Sequence, residues 1–397
     1  MKKLLVFLVF TGILFEMSAQ DKKLKPYLNI WALVQTDVIF DIKQMDPDWI
    51  GGFRPSKIPV KPGDPGWGTY GHIYFSLRPS TFKFEGVLPL NHKWGPIRLR
   101  FEFDLFGMGV HAGEQTIRFR LAYGKWGPFL IGKDWSTFID LEAYPNTFEW
   151  WGPSGMALLP SSTLRFTQKF SSKSQMELAL ELPGSNIDAG QLRQIDPALL
   201  NVRTKDILPD FIARFTNRGK WGYVKAAFLM RDLTYEVISD SLNKAITHSR
   251  FGWALNLTSN IYLFDKHGII RPQIVGGQGY AGYNNDGGVE IAPDETGHAV
   301  VPFQWGFAAF YDHYFNDRWM TSLGYSQTCQ FNSEGQLDDA FNHSQYVVVQ
   351  LMYQILKDHL KVGINYQYGK KFVKDGASAD DQRILFTVQY QINWVHD

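Results

Sequence analysis

Polar and apolar side chains alternate singly through most of this chain. In PIRLRFEFDLF, residues 96–106, Arg98, Arg100, Glu102 and Asp104 take one parity, while Leu99, Phe101, Phe103 and Leu105 take the other. On a helix, successive side chains point about 100° apart, and this order would scatter both kinds around the cylinder. On a strand it makes one charged face and one apolar face. The pattern recurs in QTIRFRLAYGKW, RFGWALNLTSNIYLF, LKVGINYQYG and RILFTVQYQINW, the last placing Ile384, Phe386, Val388, Tyr390, Ile392 and Trp394 together. Roughly sixteen such segments can be counted, so the chain reads as all-β.

Alternation alone does not separate a soluble sandwich from a membrane barrel, because either can cover an apolar face. The connections do. Short turns (NHKWG, KWGP, FSSKS, NRGK, FDKHG, FNDR, LKDH) alternate strictly with longer segments at residues 43–70, 107–114, 139–161, 183–208, 235–248, 283–300, 331–341 and 372–382. All long joins then leave one rim and all short ones the other, as in an outer-membrane barrel with short periplasmic turns and long extracellular loops. Trp94, Trp126, Trp221, Trp319 and Trp394 sit at strand ends, where interfacial girdles place amphipathic rings. The expected fold is a transmembrane antiparallel β-barrel of about sixteen strands, closed because an open edge in lipid leaves backbone groups unpaired. Leu99, Phe101, Phe103 and Leu105 then face lipid, and the four charges face water.

The N-terminus sets the compartment. Lys2 and Lys3 precede LLVFLVFTGILF and the small residues of EMSAQ, which reads as a signal peptide over residues 1–19 with cleavage after Ala19. Residues 20–397 read as one domain, since no linker or shift in composition divides them. An exported β-barrel of this kind belongs in the bacterial outer membrane, with lipid as its first partner. Cys329 is the sole cysteine, so no intrachain disulfide forms, and the residue reads as a small wall side chain. The formal net charge of +1 carries no message; only charge placement can.

That placement is uneven. The first half of the wall carries inward Arg78, Arg98, Arg100, Arg118, Arg120, Arg165, Arg214 and Lys225 against Glu102, Asp104, Glu177 and Glu181. A watery lumen with low-dielectric walls focuses such a field and favours anions. Some of the charge is already neutralised, with Glu102 opposite Arg118 or Arg120 depending on register. The third long connection, FIDLEAYPNTFEWWGPSGMALLP, is too apolar for a solvated loop and is expected to fold into the lumen as a constriction. Its Glu142, Tyr144, Phe148, Trp150 and Trp151 would stand opposite the pore-lining arginines Arg98, Arg100, Arg118, Arg120, Arg165 and Arg214. That suits small carboxylates on a hydrocarbon or ring body.

The expected function is therefore passive diffusion of small hydrophilic solutes, anionic and dicarboxylate-like by preference, with no enzymatic activity, cofactor, metal or nucleic-acid partner. Two rivals are a lipase-type barrel enzyme and a non-selective barrel. His72 and Ser76 share a strand face, but their parity with Arg78 turns them inward, whereas a barrel lipase needs its triad outside. The NNDGG stretch at residues 284–288 reads as a turn, since the spacing of a calcium loop is not met.

Finally, IRFRLAYGKWGPFLIGKDWSTFIDLEAYPNTFEWWGPSG followed by LRFTQKF resembles the core signature of the DcaP-like porins, trimeric outer-membrane channels named for dicarboxylic acid uptake. The match spans about residues 95–170 and rests on RxRxAY, GxxWSTFxDL and WGPxG in close order. The resemblance implies a sixteen-stranded homotrimeric porin whose lumenal arginines attract anionic solutes, and it carries by position to Arg118, Arg120 and Arg165. Lys133 departs from a position usually polar and uncharged in that family.

Overall fold

The computed structural model describes residues 25–182, 199–205, 207–239, 244–295 and 298–396; the expected signal peptide over residues 1–19 lies outside them, as does most of the fourth long connection. Sixteen antiparallel strands close into one barrel among these residues. They are β1 (Tyr27–Lys43), β2 (Tyr70–Ser76 continued by Thr81–Leu88), β3 (Ile97–Phe106), β4 (Gln115–Trp126), β5 (Phe129–Trp135), β6 (Pro160–Lys169), β7 (Ser174–Leu182) and β8 (Leu199–Thr204 continued by Asp210–Gly219). They continue as β9 (Gly222–Ser239), β10 (Lys244–Leu263), β11 (Gly268–Gln278), β12 (Phe303–Tyr314), β13 (Trp319–Gln330), β14 (Phe341–Leu356), β15 (Leu360–Val373) and β16 (Ser378–His396). Pairing of β16 with β1, from Leu28 opposite His396 to Asp41 opposite Arg383, removes the last edge.

Both halves of β2 pair with β1, and the break between them has a local cause. Pro79 has no N–H to give the ladder, and Ser80 N–H closes a turn onto Leu77 O at 2.9 Å. The extra residues flip the parity. His72, Tyr74 and Ser76 face inward before the break, and Thr81, Lys83 and Glu85 after it. A second irregularity lies in β4, where Glu102 is opposite Leu121 but Phe103 is opposite Phe119, leaving Arg120 as the bulged residue.

The parity expected for β3 holds. Leu99 and Phe101 are exposed on the outer face, while Glu102 and Asp104 are buried inside. Trp94 packs edge-on against Trp126 at 4.7 Å and Trp319 lies tilted against Tyr353 at 4.6 Å, both beside short turns, as an interfacial girdle requires. Two long connections are shorter than expected. Residues 235–239 and 244–248 extend β9 and β10 and pair from Tyr235 opposite His248 to Ser239 opposite Lys244. Residues 199–204 form the upper part of β8 and pair with β9. In both places β-branched residues continue the ladder where the sequence had read as loop.

Candidate functional site: the loop-filled lumen

The third connection, residues 136–159, enters the lumen from β5 and touches most of the wall. Its root is stapled by two arginines. Arg165 donates to Thr137 Oγ1 at 2.7 Å, to Asp134 at 3.0 Å and to Trp135 O at 2.5 Å. Arg214 donates to Glu177 at 2.7 Å and to Ile139 O at 2.8 Å. Asp140 then accepts from Tyr223 OH at 2.8 Å, Thr258 Oγ1 at 2.7 Å and Lys225 Nζ at 2.5 Å.

Glu142 is clasped by Arg218 at 2.6 and 2.8 Å and by Lys225 at 2.9 Å. Burial alone would raise its carboxyl, but those two cations outweigh it and hold it down at about 2. Further on, Gln350 accepts from Phe148 N at 2.6 Å and donates to Asn146 O at 3.0 Å, and Gln35 donates to Phe148 O at 2.8 Å. These neutral amides satisfy loop carbonyls and N–H groups that would otherwise be orphaned. Glu149 is buried, which pushes its carboxyl up, although it accepts from the backbone N–H groups of Phe53, Trp151 and Gly152.

The loop's aromatic side chains divide. Trp150 stacks on Phe106 at 4.9 Å and lies 5.1 Å from the Arg118 guanidinium and 4.8 Å from that of Arg120. It faces the arginines as expected. Phe148 instead turns into a separate cluster with Met320 and Met352, Tyr144 folds back so that its OH donates to Trp150 O at 3.0 Å, and Trp151 packs edge-on against Trp49 at 4.5 Å. Their greasy faces are spent on seating the loop rather than on the passage.

The six arginines also divide. Arg118 binds Asp104 through two bonds of 3.0 and 2.7 Å, and the bulged Arg120 lies 3.2 Å from both Glu102 and Asp104. The open question of register resolves this way: Asp104, not Glu102, is opposite Arg118. Arg100 donates to Glu102 at 2.8 Å, and Arg98 to Glu85 at 3.2 Å. Each therefore has a carboxylate partner, but the partners lie deeper. The Arg100 and Arg118 side chains are 28% and 25% exposed, against 3% and 0% for Glu102 and Asp104. Arg165 and Arg214 instead bracket the loop root.

Three further places singled out in the sequence take these positions. Lys133 pairs with Ser162, on the parity of outward Leu164, so it does not line the lumen. Residues 284–288 are more than a turn. Asp286 is fully buried and accepts from Arg54 Nε at 3.1 Å, Ser56 N at 3.0 Å and Ser344 Oγ at 2.9 Å, tying the first and sixth connections together. His72 and Ser76 do lie on the inner face, opposite Asp41 and Asp37. Asp41, however, is engaged by Arg383, and Ser76 Oγ accepts from Arg78 N at 3.3 Å, so the groups do not assemble as a nucleophilic triad. Sequence reasoning missed Gln35, Asn256, Asn260 and Gln350. The available signal was the run of amides and hydroxyls on the inward parity of the later strands.

A single closed barrel of sixteen strands with an inserted third loop is the architecture of the outer-membrane porins. Among solved structures, the chain is similar to the outer membrane channel DcaP of Acinetobacter baumannii, with 16% identity, 95% of this chain and 100% of that chain covered, and a TM-score of 0.78. It is also similar to the anion-selective porin from Comamonas acidovorans (6% identity, 93% and 100% covered, TM-score 0.56) and to OmpT, an outer membrane protein of Vibrio cholerae (10%, 94% and 100%, TM-score 0.55). No protein-family model and no curated protein matches the sequence. The barrel thus shares the fold of that channel, which is the fold that the resemblance read from RxRxAY, GxxWSTFxDL and WGPxG implies.

Proposed function

We propose that this protein is an outer-membrane porin through which small hydrophilic solutes diffuse passively, with a preference for anions such as dicarboxylates. The observation that carries the preference is the depth order on β3 and β4. The guanidinium groups of Arg100 and Arg118 stand forward, and the carboxylates that balance them lie behind at the wall. A solute meets the cations first, and guanidinium groups suit carboxylates because two N–H donors match two oxygens. Several such groups at staggered depths give weak successive binding, which lets a solute leave as well as arrive.

The barrel also supports a homotrimer. Its wall is low from β2 to β7, where β5 spans Phe129–Trp135 against Lys244–Leu263 for β10, and Ile73, Phe75 and Ile117 are strongly exposed there. Low, apolar walls fit the centre of an assembly. Native mass spectrometry of the detergent-extracted protein checks this reading, and a monodisperse monomer would overturn it.

The selectivity test is the reversal potential of single channels under a KCl gradient. The wild type is expected to favour chloride, and Arg118→Gln with Arg120→Gln to move the potential towards cations and slow dicarboxylate flux. Unchanged selectivity in a folded double variant would leave a general diffusion pore.

A further inference from the structure

Below the level of the third loop, the inner faces of β1, β2, β3 and β16 enclose a recess of about 180 Å3 lined by Asn29, Trp31, Lys83, Glu85, Arg100 and Asn393. Its location follows from register. Trp31 is opposite Lys83 on one side and Asn393 on the other, and Glu85 is opposite Arg100, all within a few residues of the short-turn rim. The space admits a small organic acid rather than a single water.

The chemistry of the lining is incomplete in a specific way. Lys83 Nζ sits 3.9 Å from the Trp31 ring centroid and 3.9 Å from Glu102, too far from the carboxylate for a hydrogen bond. Arg100 spends Nη2 on Glu102, but its Nε is buried without a partner, and so is the side-chain oxygen of Asn29. Burying such groups unpaired is unfavourable unless something visits to pair them. Charge points the same way. Arg98 is matched by Glu85, and the adjoining ion-pair network sets four cations, Lys83, Arg100, Arg118 and Arg120, against two carboxylates, Glu102 and Asp104, leaving two positive charges uncompensated.

We infer that this recess is a separate exit-side subsite for a small carboxylate that also carries a hydroxyl or amino donor. The carboxylate accepts from Lys83 Nζ and Arg100 Nε, and the second group donates to Asn29. The inference rests on the anion-conducting reading but assigns residues that reading does not use. It also makes a sharper chemical demand: a hydroxyacid is preferred over the plain diacid of the same length. Near Arg118 and Arg120 the acceptors, Asp104 and Glu102, are already engaged by those guanidinium groups and the remaining surface is the Trp150 ring, so that region does not make the distinction.

The experiment is side-resolved single-channel recording with malate and succinate as probes, using the full-length protein. In the wild type, malate added on the short-turn side should interrupt the current for longer than succinate does. Lys83→Met should shorten both dwell times by about tenfold, as expected for loss of a charged hydrogen bond, and Lys83→Arg should restore them. Asn29→Leu should abolish the preference for malate and leave succinate unchanged. Equal malate and succinate dwell times in the wild type, or unaltered dwell times in Lys83→Met, would overturn the subsite. Ionic selectivity is read separately, from KCl alone. A non-selective wild type would therefore overturn the broader reading while the dwell times still judge the subsite.

Discussion

The two sides of the lumen are built from different chemistry. On β3 to β9 the inner face is held by ion pairs: Arg100 with Glu102, Arg118 with Asp104, Arg214 with Glu177, Lys225 with Asp140. On β10 to β15 it is mostly amides and hydroxyls, among them Asn256, Thr258, Gln273, Ser326, Gln350 and Asn365. Neutral amides offer both donors and acceptors, so they can dock a loop backbone, which presents both. Charged side chains give a field but bind a backbone poorly unless their own partner is at hand. The third loop follows this division. Asn256 donates to Phe138 O at 2.8 Å and Asn260 to Glu142 O at 2.7 Å, while Gln350 holds Asn146 and Phe148. The neutral wall, together with Arg165, Arg214 and Lys225 at the loop root, anchors the constriction, while Arg100 and Arg118 on β3 and β4 stand forward of their carboxylate partners to meet what passes.

The sharpest way to break this division is at the seam between the walls. Asp140 is buried against Lys225, Tyr223 and Thr258. Asp140→Ala leaves a buried ammonium with only Glu142 and should destabilise the seated loop by about 3 kcal/mol. Proteolysis within residues 136–159 and a noisier, larger conductance are the expected readouts; an unchanged channel would mean that the seam is not structural. A slightly smaller effect is expected at Gly155, on the neutral wall. A Cβ there would meet Phe307 O at 2.1 Å and Gln327 O at 2.4 Å, both backbone atoms that cannot swing away. Gly155→Ala should lift the loop from β12 and β13 at about 1–3 kcal/mol, measured as a shift in barrel melting temperature.

Strand number, inward parity and loop alternation were legible because a barrel wall has one rule, period two, applied sixteen times. Arg98 and Arg100 were placed by that rule alone. It failed where the backbone departs from the ladder: Pro79 flips β2 and the bulge frees Arg120, and neither is encoded in hydrophobic alternation. The loop was legible as inserted, since FEWWGPSG is too apolar for water, but which rings face the arginines depends on tertiary contacts. Phe148 found Met320 and Met352, residues about 170 and 200 positions away. The same limit hid the roles of Arg165 and Arg214, which look like Arg118 in sequence yet bind the loop root.

A more modest change sharpens the neutral side. Gln350→Leu removes the acceptor for buried Phe148 N and one of two donors to Asn146 O, which keeps Ser322 Oγ at 2.9 Å, and should destabilise the loop by about 1–2 kcal/mol, chiefly through the unpaired Phe148 N–H. The same substitution should leave the reversal potential where it was, because no charge has changed. A shift in selectivity would show that loop position, rather than the arginine wall, sets the ion preference.

The smallest effect concerns pH and distinguishes the charged clamp from the amide anchors. Glu142 lies in the loop with its carboxyl held at about 2 by Arg218 and Lys225, below its ordinary value of 4.5. A depressed carboxyl contributes stability that is fully present above the unfolded value and is lost as pH falls through the folded one. The clamp should therefore be complete from pH 7 down to about pH 5 and weaken progressively towards pH 2. Since the Glu142 side chain is 47% exposed, salt screens the clamp and the change should be slight. The expected record is a flat conductance between pH 7 and 5, with added flicker below pH 4 that Glu142→Gln shows already at neutral pH. Amide anchors do not titrate, so flicker that began at pH 6 in both wild type and Glu142→Gln would place the sensitive group elsewhere. Buried Glu149, whose carboxyl is pushed up, would then be the residue to replace next.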